Sequence, residues 1–272
     1  MAEGHLKKMR TTLASPVEYD LLVDDEVIGF NQFLGKNIRL HYSGHIDCSN
    51  CGRKTKKSYS QGFCYPCMQK LAQCDMCIMK PETCHYHLGT CREPEWGEQH
   101  CMQDHFVYLA NSSGLKVGIT RHTQVPTRWI DQGASQALPI FKVKTRLQSG
   151  LLEMALKQHV GDRTDWRKML KEQPELKDMQ AERDRLLALA EDKIVDIQTS
   201  LGDNQIQLLS EAEPVQIDYP IIEYPKKVSS LNFDKTPDIE GTLLGIKGQY
   251  LILDKGVLNI RKFTSYHVNF DA

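Results

Sequence analysis

Cys48, Cys51, Cys64 and Cys67 form two C-x-x-C pairs with twelve residues between them. Each pair sets two thiolates on one tight turn. Two such turns facing each other make a tetrahedral sulfur cage of the size that Zn²⁺ prefers. Four thiolates close the coordination shell, so the expected role is structural. Gly52 after the first pair and Pro66 inside the second suit knuckle turns that bend backbone amides toward sulfur. A third pair, Cys74 and Cys77, is followed by Cys84, His85, His87, Cys91, His100, Cys101 and His105. A second zinc site needs two more ligands from that set. Cys91 and Cys101 are preferred because thiolates bind zinc more strongly than neutral imidazole, with Cys84 or His85 as the alternative. Between the first two pairs lie Lys54, Lys56, Lys57, Tyr59 and Phe63, a basic loop with aromatics that could touch phosphate and stack on bases, or be an exposed turn.

All nine cysteines fall between Cys48 and Cys101, and the start of the chain has no apolar signal core. Dense C-x-x-C spacing in such a chain reads as metal rather than disulfide, which places the protein in the cytoplasm. No apolar run approaches the roughly twenty residues that span a bilayer. The net charge of −1 hides an asymmetry. His105 to Leu170 carries ten Lys/Arg against four acids, whereas Lys171 to Asp218 carries five bases against twelve acids. The first stretch could face a polyanion and the second could not, unless both are simply solvated faces.

The elements that would position these groups form an α+β chain. Residues 1–45 read as a β-rich part, with short apolar runs at 19–23 and 38–42 split by turn residues. Residues 46–105 lack hydrophobic periodicity, so metal is expected to replace a core there. In residues 106–170, strands at 106–110 and 115–119 make a hairpin around Asn111-Ser112-Ser113-Gly114, and 139–145 gives a third strand. A helix is expected from Leu151 to Val160 with Ser149 as N-cap, and a shorter one capped by Thr164. Residues 171–213 should hold one long helix, Glu175 to Leu201, from the recurrence of Met179, Leu186, Ala190, Ile194 and Leu201. Residues 214–272 read as β again. They are expected to pair with the first block, since neither is long enough to bury a good core alone.

The third block resembles the GIY-YIG endonuclease superfamily, with a small three-stranded sheet and helices behind a zinc-ribbon module. Phe106-Val107-Tyr108 stands where the first motif would be, keeping its tyrosine but not its glycine. Lys116-Val117-Gly118 stands for the second, with lysine in place of tyrosine. Arg121 continues that strand, Arg128 fits the conserved arginine, and Glu153 fits the metal-binding glutamate. The resemblance implies phosphodiester hydrolysis in which Glu153 holds Mg²⁺ or Mn²⁺ and Tyr108 activates or orients water. Arg128, with Lys116 or Arg121, would balance phosphate charge. A domain that binds nucleic acid without cutting it is the intermediate case. A second resemblance covers nearly all of the chain. The runs 89–92, 96–98, 116–121, Arg128-Trp129-Ile130-Asp131-Gln132-Gly133-Ala134 and Gly245-Ile246-Lys247-Gly248-Gln249-Tyr250 resemble a bacterial family described only as a domain of unknown function. In the arginine run, Trp129 reads as a helix anchor, whereas Asp131 and Gln132 either line a pocket or cap a neighbouring helix.

The sequence thus points to a nucleic-acid-binding protein with a structural zinc cage at Cys48, Cys51, Cys64 and Cys67 and a second one at Cys74, Cys77, Cys91 and Cys101. Cleavage would centre on Tyr108, Lys116, Arg121, Arg128 and Glu153. The alternative is a non-catalytic adaptor whose zinc modules and acidic helix hold a protein partner.

Overall fold

The computed structural model describes residues 1–160, 164–202 and 205–272; Asp162, Arg163 and Asp203 of the charged stretches lie outside the described residues. The chain opens with strands β1 (Ala2–His5), β2 (Arg10–Thr12), β3 (Glu18–Val23), β4 (Glu26–Gly29) and β5 (Asn37–Ile46). In β3, Tyr19, Leu21 and Val23 are buried and their neighbours are not, the period-two pattern of a strand with one face on a core. The cysteine segment follows with two short helices, α1 (Tyr65–Lys70) and α2 (Pro94–His100), and several single 3-10 turns. Next come β6 (His105–Asn111), β7 (Leu115–Arg121), α3 (Thr127–Asp131), β8 (Gln136–Val143) and α4 (Arg146–Leu156). The helices α5 (Trp166–Lys171), α6 (Met179–Leu189) and α7 (Glu191–Leu201) lead to β9 (Ile206–Leu208) and β10 (Val215–Gln216). The chain closes with β11 (Asp238–Lys247), β12 (Tyr250–Leu253), β13 (Gly256–Asn259) and β14 (Tyr266–Asp271).

The terminal blocks share one antiparallel sheet, in the order β1-β14-β5-β11-β12-β13, beside a small meander of β2, β3 and β4. Their pairing is the expected one: β5 lies between β14 and β11, so neither block has to build a core alone. The third sheet is the expected hairpin, β6 with β7, joined by β8 on the other side of β6; β9 and β10 extend it along β8.

Strand alternation gives this third sheet two different faces. Val107, Leu109 and Val117 turn to a core closed by Leu152 and Leu156 of α4, Met179 and Leu186 of α6 and Ile194 of α7. Each fully buried leucine there contributes about 1.5–3 kcal/mol. Tyr108 and Ala110 turn the other way, into the core that also holds Trp129, Ile130, Ile246 and Leu251. The sheet is therefore sandwiched between its helices and the terminal sheet.

Three helix boundaries differ from the sequence reading. Helix α4 starts at Arg146 rather than Leu151, because Thr145 and Gln148 form a capping box: Gln148 N–H donates to Thr145 Oγ1 at 3.3 Å and Thr145 N–H donates to Gln148 Oε1 at 3.0 Å. Ser149 lies inside the helix, buried, with its hydroxyl on the Arg146 carbonyl. Asp165, not Thr164, caps α5, accepting from Arg167 N–H and Lys168 N–H. The long helix is two helices that meet at Ala190; the apolar spacing runs through the break because Leu186, Ala190 and Ile194 rest on one core. Among the described residues no helix is long and apolar enough to cross a membrane.

Candidate functional site

The first two cysteine pairs come together. The four sulfurs of Cys48, Cys51, Cys64 and Cys67 all lie within 4.8 Å of one another, and Cys51 Sγ is 3.8 Å from Cys64 Sγ. A tetrahedron with Zn–S bonds of about 2.3 Å has edges of about 3.8 Å, so this donor set fits zinc. The first pair sits on a knuckle: Gly52 N–H donates to the Cys48 carbonyl at 2.8 Å, and Gly52 takes φ +68°, where a Cβ would be strained. The second pair uses a helix start, with Cys64 as N-cap of α1, Pro66 in its first turn and Cys67 one step further in. Burial pushes the Cys48 thiol up, but the backbone N–H groups of Cys64, Cys51 and Asn50, with the Cys51 thiol, together outweigh it and bring its pKa down to about 6. At Cys67 the Asn50 amide, 3.4 Å away, pulls the other way, but burial and the neighbouring thiols push it up to about 12. Four thiols this close resist shedding all their protons together, and a dication in their midst removes the conflict.

The later cysteines divide. Cys74 lies beside the Ser60 hydroxyl and within the field of Arg92 and Cys48, on the side of the first cage. Cys77 groups with Asp75 and His85, one ligand atom of each within 4.8 Å of the others. Cys84 and Cys101 are both buried and share a thiol–thiol hydrogen bond that lowers Cys84 to about 6 and raises Cys101. Cys77 interacts with the charges of Cys84 and Cys91. Arg146 of α4 seals this group to the sheet, donating through Nη2 to the Ile78 carbonyl at 2.7 Å. His105 is buried with Nδ1 on the Gln103 carbonyl at 2.7 Å and, among the described residues, no partner on Nε2; burial takes its pKa down to about 4. In the basic loop, Lys54, Lys56 and Lys57 are exposed, and the Tyr59 ring packs edge-on against Tyr65.

Tyr108 and Lys116 both lie within the fields of Arg128 and Glu153. Tyr108 is fully buried opposite Gly118, where a Cβ would come within 2.7 Å of its ring tip. That close approach is why the second strand carries glycine there. The Tyr108 hydroxyl donates to Gln132 Oε1 at 3.1 Å and its ring meets Trp129 edge-on. Burial raises its pKa, while the Arg128 charge lowers it and the Glu153 charge raises it. A phenol in that state stays protonated at neutral pH and acts as a donor, not a base. Lys116 is 5% exposed and donates to Thr164 Oγ1. Burial brings its pKa down to about 7; Arg128 adds to that fall and Glu153 opposes it. Arg121 belongs elsewhere: burial lowers its pKa first, and its charged neighbours are Arg146 and Cys101.

In front of this cluster is a cleft of about 400 Å³, walled by Lys116, Gln132, Trp166, Tyr250, Asn259 and Arg261 among others. It forms where two runs far apart in sequence meet. Asp131, whose side chain is 3% exposed, pairs with Lys8, accepts from Gln249 Nε2 at 2.9 Å and lies 4.0 Å from Arg261. Gly248, at φ +62°, lets the β11–β12 turn lie against the Asp131 carbonyl, 3.0 Å from where a Cβ would stand. Asp131 and Gln132 therefore line a pocket, and Trp129 anchors α3 in the core. Of Tyr108, Lys116, Arg128 and Glu153, only Lys116 opens on the cleft; Tyr108 stands behind it and acts on Gln132. Gln249, Asn259 and Arg261 are wall residues that sequence reasoning missed. The motif around Gly248 was their one signal, and nothing in sequence shows what it faces. Arg261 also donates through Nε to Gln61 Oε1 at 2.6 Å, and the Ser49 and Ser265 hydroxyls bond at 2.5 Å, so the first cysteine module is docked on the cleft wall.

The architecture is thus an α+β protein with a thiolate cage suited to zinc, docked beside a cationic cleft. A family model described as a protein of unknown function, DUF2797, matches residues 35–268, and the chain belongs to that family. The matched span takes in the cage, the hairpin and both runs that build the cleft. No curated protein and no solved structure matches the chain.

Proposed function

We propose that this chain is a zinc-stabilised nucleic-acid-binding protein that grips phosphate at the cleft between the GIY-YIG-like hairpin and the terminal sheet. The observation that carries the reading is the pair of cations on one concave surface, Lys116 and Arg261, both within the field of Arg128 behind it, with Asp131 already engaged by Lys8 and Gln249. Cations withdrawn from water at a concave site favour a ligand with delocalised negative charge. Zinc at the first cage supplies structural closure only. A second zinc is best supported at Cys77, whose ligand atom groups with those of Asp75 and His85, while Cys74 lies within the field of Cys48 of the first cage.

Binding is favoured over cutting. The donor set does not fit a resident Mg²⁺ or Mn²⁺: Glu153 is the one carboxylate grouped with Tyr108, Lys116 and Arg128. Tyr108 is buried and protonated, out of reach of a water in the cleft. Retention on labelled DNA or RNA should fall steeply as salt rises. Absence of binding at low salt would leave the adaptor reading. Nicking in Mg²⁺ or Mn²⁺ that disappears in Glu153→Ala would restore the nuclease reading.

A further inference from the structure

The cleft holds more than cations. Trp166 and Tyr250 lie parallel on its wall, ring centroids 5.8 Å apart and planes 2° from each other. Both rings are partly exposed. The Arg167 guanidinium sits 4.3 Å over the Trp166 ring. The same cleft is lined by Lys116 and Arg261 and by an amide, Gln132, whose oxygen accepts from Tyr108. With its oxygen accepting from Tyr108, the amide keeps its Nε2 as a donor. Aromatic faces, an oriented amide and two cations within one pocket match the three parts of a nucleotide: a base to stack, an edge to read and a phosphate to neutralise. A volume of about 400 Å³ suits one such unit, while a duplex presents its bases stacked and paired, unable to reach the shelf.

We infer that the cleft takes single-stranded nucleic acid, with one unpaired base against Trp166 and Tyr250, its edge at Gln132 and its phosphate between Lys116 and Arg261. The inference rests on the nucleic-acid reading above and narrows it to one strand form.

The test uses the full zinc-loaded chain and fluorescein-labelled oligonucleotides of one sequence, single-stranded and as a blunt duplex, read by anisotropy across a salt series. The single strand should bind at least about tenfold more tightly. Trp166→Leu should weaken it by about 5- to 100-fold, as expected for loss of one stacked base, and Trp166→Phe should restore most of that. Lys116→Gln should lower the salt slope by about one. Single strand and duplex bound equally, with Trp166→Leu as tight as wild type, would overturn the inference while leaving nucleic-acid binding in place. No binding of either form at low salt would overturn both. A free mononucleotide binding as tightly as the oligonucleotide would replace the strand with a small-molecule ligand and overturn the inference. Leu and Phe at the same site separate lost stacking from lost fold.

Discussion

Replacing Gly118 by alanine puts the pairing of the two hairpin strands to a direct test. The new methyl would stand 2.7 Å from both the terminal ring carbon and the hydroxyl oxygen of Tyr108. Non-bonded carbons prefer about 3.5–4.0 Å, so the ring or the strand must yield by about 1 Å. The ring cannot swing freely. It is fully buried, its hydroxyl is tied to Gln132, and its edge rests against Trp129. Overpacking of this kind costs about 1–3 kcal/mol. For a chain of this size a 2 kcal/mol loss corresponds to about 4–8 °C in Tm. The atoms in the way are all at the far end of the tyrosine, and leucine lacks them. In a Tyr108→Leu background the same Gly118→Ala change should therefore cost less than about 0.5 kcal/mol, a coupling of about 1–2 kcal/mol between the two sites. Urea unfolding of the four proteins in the cycle measures this. Equal costs in both backgrounds would show that the glycine answers to something other than Tyr108.

Cys48→Ser should lose the zinc of the first cage and lower stability broadly, since the surrounding segment has little apolar core; elemental analysis with thermal melts checks it, and full zinc content with an unchanged melt would contradict it. Lys116 gives a pH signature. Its folded-state pKa is near 7, whereas the unfolded chain holds the proton to about 10.4. Between those values the unfolded state binds more protons, so this group makes stability rise with pH across the window, and its burial cost is fully present below about 7. Lys116→Met should remove that rise, of order 5 kcal/mol, and parallel pH–stability curves for the two proteins would refute it.

The hairpin, the pairing of the terminal blocks and the sulfur cage were legible because each rests on local chemistry: period-two apolar alternation, turn clusters and ligand spacing. The start of α4 was misread, because Ser149 offered a cap nearer the apolar stripe than the Thr145–Gln148 box that the structure uses. The break at Ala190 was not, because the apolar spacing that tertiary packing requires is the same for one helix or two. Tyr108, Lys116, Arg128 and Glu153 were brought together by motif resemblance, but which of them meets solvent is decided by the terminal sheet laid over them. Asp131 meeting Gln249 is a contact across more than a hundred residues, which no periodicity encodes.

Arg261 is held from two directions, by Gln61 in the loop between the first two sulfur pairs and by Asp131 at the end of α3. A guanidinium anchored to a loop that zinc at the cage would brace links the cage and the cleft wall into a single mechanical interlock. Zinc removal should slacken that arm before the sheets melt, so retention of the proposed ligand should fall first.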